Sequence, residues 1–164
     1  MKLDLGTAII GGITIMIIVV PIYMMLRGRK KKEKMILRSL LEIAAQKNCT
    51  IDQHEIFGSN AIGIDENNKK VFFYRQTEDQ ITEQFVDLGA IGSCKVVKTH
   101  STFRNKGVNE KVLERLELSF VPSVQSNGEI KFEFFNADDN IQLNGELQSA
   151  ERWSQLIHDR FIHR

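Results

Sequence analysis

An uninterrupted apolar run from Leu5 to Leu26 is followed at once by Arg27-Gly28-Arg29-Lys30-Lys31-Lys32-Glu33-Lys34. As a helix, the 22 residues of the run rise about 1.5 Å each and extend roughly 33 Å, against a bilayer hydrocarbon core of about 30 Å. A Lys or Arg at the bilayer centre costs about 2.5–3.5 kcal/mol, so the basic run fixes where such a span must stop. The sequence therefore predicts a single transmembrane anchor with a basic juxtamembrane segment over residues 1–34. A cleavable secretory signal fits less well. It wants a basic start, an apolar core of about 7–15 residues and a small-residue cleavage site. Here Asp4 offsets Lys2, the apolar core is longer, and no Ala-x-Ala pattern follows it.

Lys and Arg accumulate on the cytoplasmic side of a span. The basic run thus predicts a single-pass inner-membrane protein with its N-terminus out and its C-terminal domain in the cytosol. On the span, Ala8-x-x-x-Gly12 and Thr7-x-x-x-Gly11 offer a small-residue face for helix pairing. Pro21 is placed to kink it, and Tyr23 suits an interface. Arg27, Arg29, Lys30, Lys31, Lys32 and Lys34 are candidate membrane-surface contacts. Each cation near an anionic surface contributes about 1 kcal/mol, less where Glu33 and salt screen it. The lipid bilayer is accordingly an expected partner.

The formal charge of +1 hides an asymmetry. Residues 35–164 hold 15 Lys or Arg against 19 Asp or Glu, a net of −4. Nucleic acid is not an expected partner of an acidic domain, since it calls for a basic face. Cys49 and Cys94 stand far apart, which suits a reducing compartment and suggests neither a disulfide framework nor a zinc site.

Ile36, Leu37, Leu40, Leu41 and Ala44 recur at helical spacing, which predicts a stalk helix over 35–49 that ends near Asn48. From Thr50 short runs of Val, Ile and Phe alternate with turn residues, the mark of antiparallel strands. The candidates are 50–57, 61–65, 70–75, 83–87, 92–100, 112–122 and 129–136. Asp65-Glu66-Asn67-Asn68-Lys69 tolerates left-handed backbone angles, and Ser126-Asn127-Gly128 signals a tight hairpin. Leu116, Leu118, Phe120, Ile130, Phe132 and Phe134 read as inward, with Glu117, Lys131 and Glu133 turned to water. A last helix begins with Ser149 as N-cap and carries Ala150, Trp153, Ile157 and Phe161 on one stripe. Arg160, His163 and Arg164 in its last turn suit the helix dipole. The fold class is α+β: an N-terminal transmembrane helix and short stalk, then about seven antiparallel strands over 50–164 closed by a C-terminal helix.

The segment Ala61-Ile62-Gly63-Ile64-Asp65-Glu66-Asn67-Asn68-Lys69-Lys70-Val71-Phe72-Phe73-Tyr74, followed by Val86-Asp87-Leu88-Gly89-Ala90-Ile91-Gly92-Ser93-Cys94-Lys95-Val96, resembles the opening strands of bacterial pleckstrin-homology-like (PH-like) domains. Ala150-Glu151-Arg152-Trp153-Ser154-Gln155-Leu156-Ile157 is similar to the capping helix of that fold. The resemblance covers roughly residues 50–164. It implies a bent sheet or barrel with Trp153, Ile157 and Phe161 as the capping-helix core. Lipid-binding members carry a basic cluster near the first hairpin, which makes Lys69, Lys70 and Arg75 possible headgroup contacts. The Lys-x-Arg pairing of phosphoinositide readers is missing, and Asp65 and Glu66 dilute the cluster.

Residues for catalysis are sparse. His158 and His163 are five apart, whereas two ligands on one helical face need three or four. His54 and His100 fall in strands. Cys94 reads as a small buried residue. Asp138, Asp139, Asn136 and Asn140 lack the spaced ligands and closing Glu of a calcium loop. Gly58, Gly63, Gly89 and Gly92 open no helix and form no phosphate loop. No enzyme activity, cofactor or metal is expected. The sequence points to a non-enzymatic interaction or scaffold module, an accessory subunit of a membrane complex that binds a protein partner along a sheet edge or beside the last helix. The alternative is an anionic-lipid sensor that uses the basic run together with the first hairpin.

Overall fold

The computed structural model describes the backbone of residues 5–105, 108–124, 128–139 and 142–162. Side chains are described from Ile15 onward, except at 22, 24–26, 103–110, 125–127, 140–141 and 162–164. The side chains of Thr7, Ala8, Gly11 and Gly12, the Ser126-Asn127 turn, Asn140, His163 and Arg164 lie outside the described residues. The chain divides into two compact units, Met1–Met35 and Ile36–Arg164.

One helix, α1 (Leu5–Gln46), runs through the apolar and basic segments, with Pro21 inside it. The Lys and Arg residues beyond Leu26 are good helix formers, so nothing ends the helix there. The stop comes at Asn48, whose φ of 54° is left-handed. The Asn48 N–H donates to Ala45 O and the Cys49 N–H to Ala44 O, each at 3.0 Å, a Schellman closure with Asn at C′. The stalk helix expected over 35–49 is the last part of this single helix, which ends near Asn48.

Among the described residues no helix is long and apolar enough to cross a membrane. The helix that carries the apolar run continues without a break into the basic run. The transmembrane anchor over 1–34, and the single-pass, inner-membrane, N-terminus-out placement that rested on it, are corrected accordingly. Within the Met1–Met35 unit Ile15 to Val20 are exposed, and the Arg27 guanidinium sits 4.6 Å above the Tyr23 ring.

In the second unit, β1 (Gln53–Phe57), β2 (Asn60–Asp65), β3 (Lys70–Gln76) and β4 (Ile81–Asp87) form an antiparallel sheet in that order. A 3₁₀ turn, Leu88–Ala90, leads to a second sheet of β5 (Ile91–Asn105), β6 (Val108–Pro122) and β7 (Ile130–Asn136). Helix α2 (Glu146–Ile157) follows and ends in a π turn, His158–Ile162.

Strands β2 and β3 are buried on both faces, which explains their near-continuous apolar sequence. Ile62, Ile64, Val71 and Phe73 face the main core, with Leu116, Leu118, Phe120, Phe132 and Phe134 of the second sheet and Trp153 and Ile157 of α2. Phe73 stacks on Phe132 at 4.9 Å, and Phe57 on Phe134 at 4.6 Å. Ala61, Phe72 and Tyr74 face the other way, against Ile36, Leu40, Ile43 and Ala44 of α1. Gly63 lets the helix approach, since a Cβ there would lie 2.9 Å from Ile51 Cγ2 and 3.0 Å from Leu40 Cδ2. Gly63→Ala is expected to cost about 1–3 kcal/mol, read as a lower denaturation midpoint. An unchanged midpoint would contradict this packing of α1 on β2.

One expectation about side chains changes. Glu117 is buried, with Lys131 Nζ 3.4 Å from its carboxylate. A register shift beside Leu116 and Glu117 turns both Phe134 and Phe135 inward. In the β2–β3 turn it is Lys69 that takes the left-handed angle, φ 52°.

Candidate functional site

Strand β1 is an edge of its sheet, so among the described residues one row of its backbone donors and acceptors has no neighbouring strand. Beside it lies α2, which begins three residues earlier than Ser149. Its N-cap is Gly145, with φ 101° and no side-chain cap. Ser149 is instead inside the helix and buried, where its hydroxyl donates to Glu55 Oε1 at 2.7 Å.

Glu55 is the hub of this region. Oε1 also accepts from Arg152 Nη1 at 3.0 Å, and Oε2 accepts from Trp153 Nε1 at 2.8 Å. One carboxylate on an edge strand thus ties down three residues of the closing helix. The indole N–H is satisfied while its ring, 3 % exposed, sits in the core. Charge-assisted bonds of this kind are about twice as strong as neutral ones.

Between strand and helix runs a groove of about 420 Å³. Asp52, Gln53, His54 and Glu55 form the strand side, while Arg152, Trp153 and Leu156 form the helix side. Gln53 and His54 are exposed, and Leu156 is half-buried against the core. The Asp52 carboxylate is engaged at the rim, accepting from Glu66 N at 2.8 Å. The groove therefore combines an apolar floor, a polar rim and open strand backbone.

The structure brings Trp153, Ile157 and Phe161 together at the core, the last partly buried. It does not gather the possible headgroup contacts. Lys69 is exposed at the turn and Lys70 half-buried. Arg75 lies at the far end of β3, 8 % exposed, in ion pairs with Glu133 and Asp139. With Asn60 Nδ2 donating to Phe134 O at 2.9 Å, Arg75 ties the first sheet to the second. The six cations from Arg27 to Lys34 are exposed on α1 in the Met1–Met35 unit.

Asp65 is fully buried. Burial alone would raise its pKa, but bonds from the Asn68 side chain and backbone and from Thr50 N outweigh this and hold it below the usual value. Burial pushes the Cys94 thiol up to about 12, with Ser154 pulling weakly the other way. Burial also raises Cys49, against the pull of Lys70. Both thiols therefore resist forming the thiolate that nucleophilic chemistry needs. His54 and His100 are exposed. Among the described residues no group of three His, Cys, Asp or Glu side chains is placed to hold a metal ion.

The Glu55 hub left no trace in the sequence. Its partners lie 94 to 98 positions away, and an Arg and a Ser on a predicted helix carry no local signal of a distant carboxylate. Comparison of the chain with protein-family models, curated proteins and solved structures finds no match in any of the three.

Proposed function

We propose that residues 36–164 form a non-enzymatic interaction module that takes an extended segment of a protein partner in the groove between β1 and α2. The observation that carries the reading is the groove itself, an open strand edge beside an apolar floor of Trp153 and Leu156. A segment added to β1 satisfies main-chain donors and acceptors, and every second side chain selects its pocket, as in strand addition generally. The Glu55 hub keeps helix and strand at fixed spacing, so little ordering cost falls on binding. The four-plus-three sheets closed by a C-terminal helix are consistent with a PH-like domain, a fold that by itself names no ligand.

Selection of displayed random peptides against the full chain tests the reading. Selected peptides should lose about tenfold or more in affinity on Leu156→Arg, which fills the groove floor, and keep it on Val124→Ser, an exposed apolar site elsewhere. Peptides indifferent to Leu156→Arg, or no selection at all, would contradict it.

A further inference from the structure

The opposite edge of the first sheet is β4, and its side chains are arranged unlike those of a protected edge. Thr82 and Gln84 are half-buried and Val86 is buried, while Ile81, Glu83, Phe85 and Asp87 are all exposed. Ile81 is 57 % and Phe85 40 % exposed. One face of the strand therefore reads apolar, acidic, apolar, acidic.

The backbone of those same four residues faces the open edge. Thr77 N donates to Gln80 O at 2.9 Å and Leu88 N to Lys69 O at 2.8 Å, which brackets the β3–β4 ladder. Bonded and non-bonded pairs alternate along an antiparallel ladder. With the register Lys70↔Asp87 to Gln76↔Ile81, the bonded pairs are Arg75–Thr82, Phe73–Gln84 and Val71–Val86. The N–H and C=O groups of Ile81, Glu83, Phe85 and Asp87 then point away from β3. A strand added here would pair with these four residues and meet their exposed side chains on one face.

The charge at this edge is negative. Glu78 and Asp79 at the hairpin tip join Glu83 and Asp87, all exposed. Against them stand Lys47, 4.8 Å from the centre of the Phe85 ring, and Lys70, cross-strand from Asp87. Asp87 also accepts from Gly89 N at 2.9 Å. Edge strands are commonly guarded by lysine, proline or bulges. Carboxylates can guard an edge too, but they do not account for two large apolar side chains at alternate exposed positions.

We infer that the β4 edge is a docking strand for an extended segment of a partner protein in which apolar residues, opposite Ile81 and Phe85, alternate with Lys or Arg opposite Glu83 and Asp87. Apolar cross-strand pairs and opposite charges directly facing each other both stabilise such a ladder. This edge is separate from the β1–α2 groove and does not depend on the reading of that groove.

The probe is a blocked peptide of alternating Val and Lys, titrated against the full chain. Comparison peptides have the same composition with all Lys in one block, alternating Val and Glu, or Val-Lys N-methylated at every second residue. The alternating Val-Lys peptide should bind about tenfold or more tighter than each of these. Glu83→Lys with Asp87→Lys should reverse the preference toward Val-Glu. Ile81→Ser should weaken Val-Lys binding, and Asp159→Lys, an exposed charge elsewhere, should leave it unchanged. Equal binding of alternating and block peptides, or of the N-methylated peptide, overturns the inference on the wild-type chain alone. So does self-association of the chain that Ile81→Ser abolishes, since the occupant would then be a second copy.

Discussion

Trp153→Ala is expected to lower stability by about 3–5 kcal/mol, the range for deleting a buried large aromatic side chain. The ring is 3 % exposed in the main core, and its N–H is held by Glu55 Oε2 at 2.8 Å. The alanine variant loses the ring's burial and leaves part of the Glu55 carboxylate without a donor. Trp153→Phe keeps most of the apolar surface and loses the N–H, so it should cost about 1.5–3 kcal/mol, the worth of a bond to a charged group. Denaturant unfolding of the full chain measures both. A loss under about 1 kcal/mol for the alanine variant would mean that α2 does not close the core as described.

Asp65→Ala is expected to cost about 3 kcal/mol, because buried donors left without an acceptor each lose on the order of 1–3 kcal/mol. The carboxylate accepts from Thr50 N at 2.8 Å, Asn68 N at 2.8 Å and Asn68 Nδ2 at 2.7 Å. It thereby fixes the β2–β3 turn and the chain that leaves α1. Its folded pKa is lowered. The stability it supplies is therefore fully present above the unfolded value of about 3.9 and is lost as pH falls through the folded value. Wild type should lose stability steadily below about pH 4, and Asp65→Ala should show a shallower acid decline. Parallel pH profiles for the two proteins would contradict this account of Asp65.

The strands were legible because their chemistry is local. Alternation at Leu116, Leu118 and Phe120 and the paired aromatics of β7 place the inward face without reference to the rest of the fold. β5 and β6 reach beyond their apolar stretches, since both extend through polar residues whose pairing partner is the other strand. Ser149 looked like a cap because Ser before a periodic run usually is one. Here the helix begins earlier, at a glycine with no capping side chain, and the serine serves Glu55. Arg75 reads as a possible headgroup contact because sequence shows its neighbours on β3, not Glu133 and Asp139, 58 and 64 positions away. Glu117 looked solvated for the same reason. The apolar run from Leu5 read as a membrane span from its length and its basic end. Among the described residues, however, no helix is long and apolar enough to cross a membrane. Of the proposed site, sequence reached the sheet edge and the last helix as elements. The carboxylate that joins them, and the groove between them, exist only once the chain is folded.

Amide hydrogen exchange of the full chain, with and without a peptide selected against it, tests the central proposal most directly. If the partner segment extends the first sheet at β1, bound peptide should slow exchange at those amides of Gln53–Phe57 that point away from β2. It should also protect the face of α2 around Arg152 and Leu156. Slowed exchange elsewhere, with β1 unchanged, would contradict the docking of a protein segment in this groove.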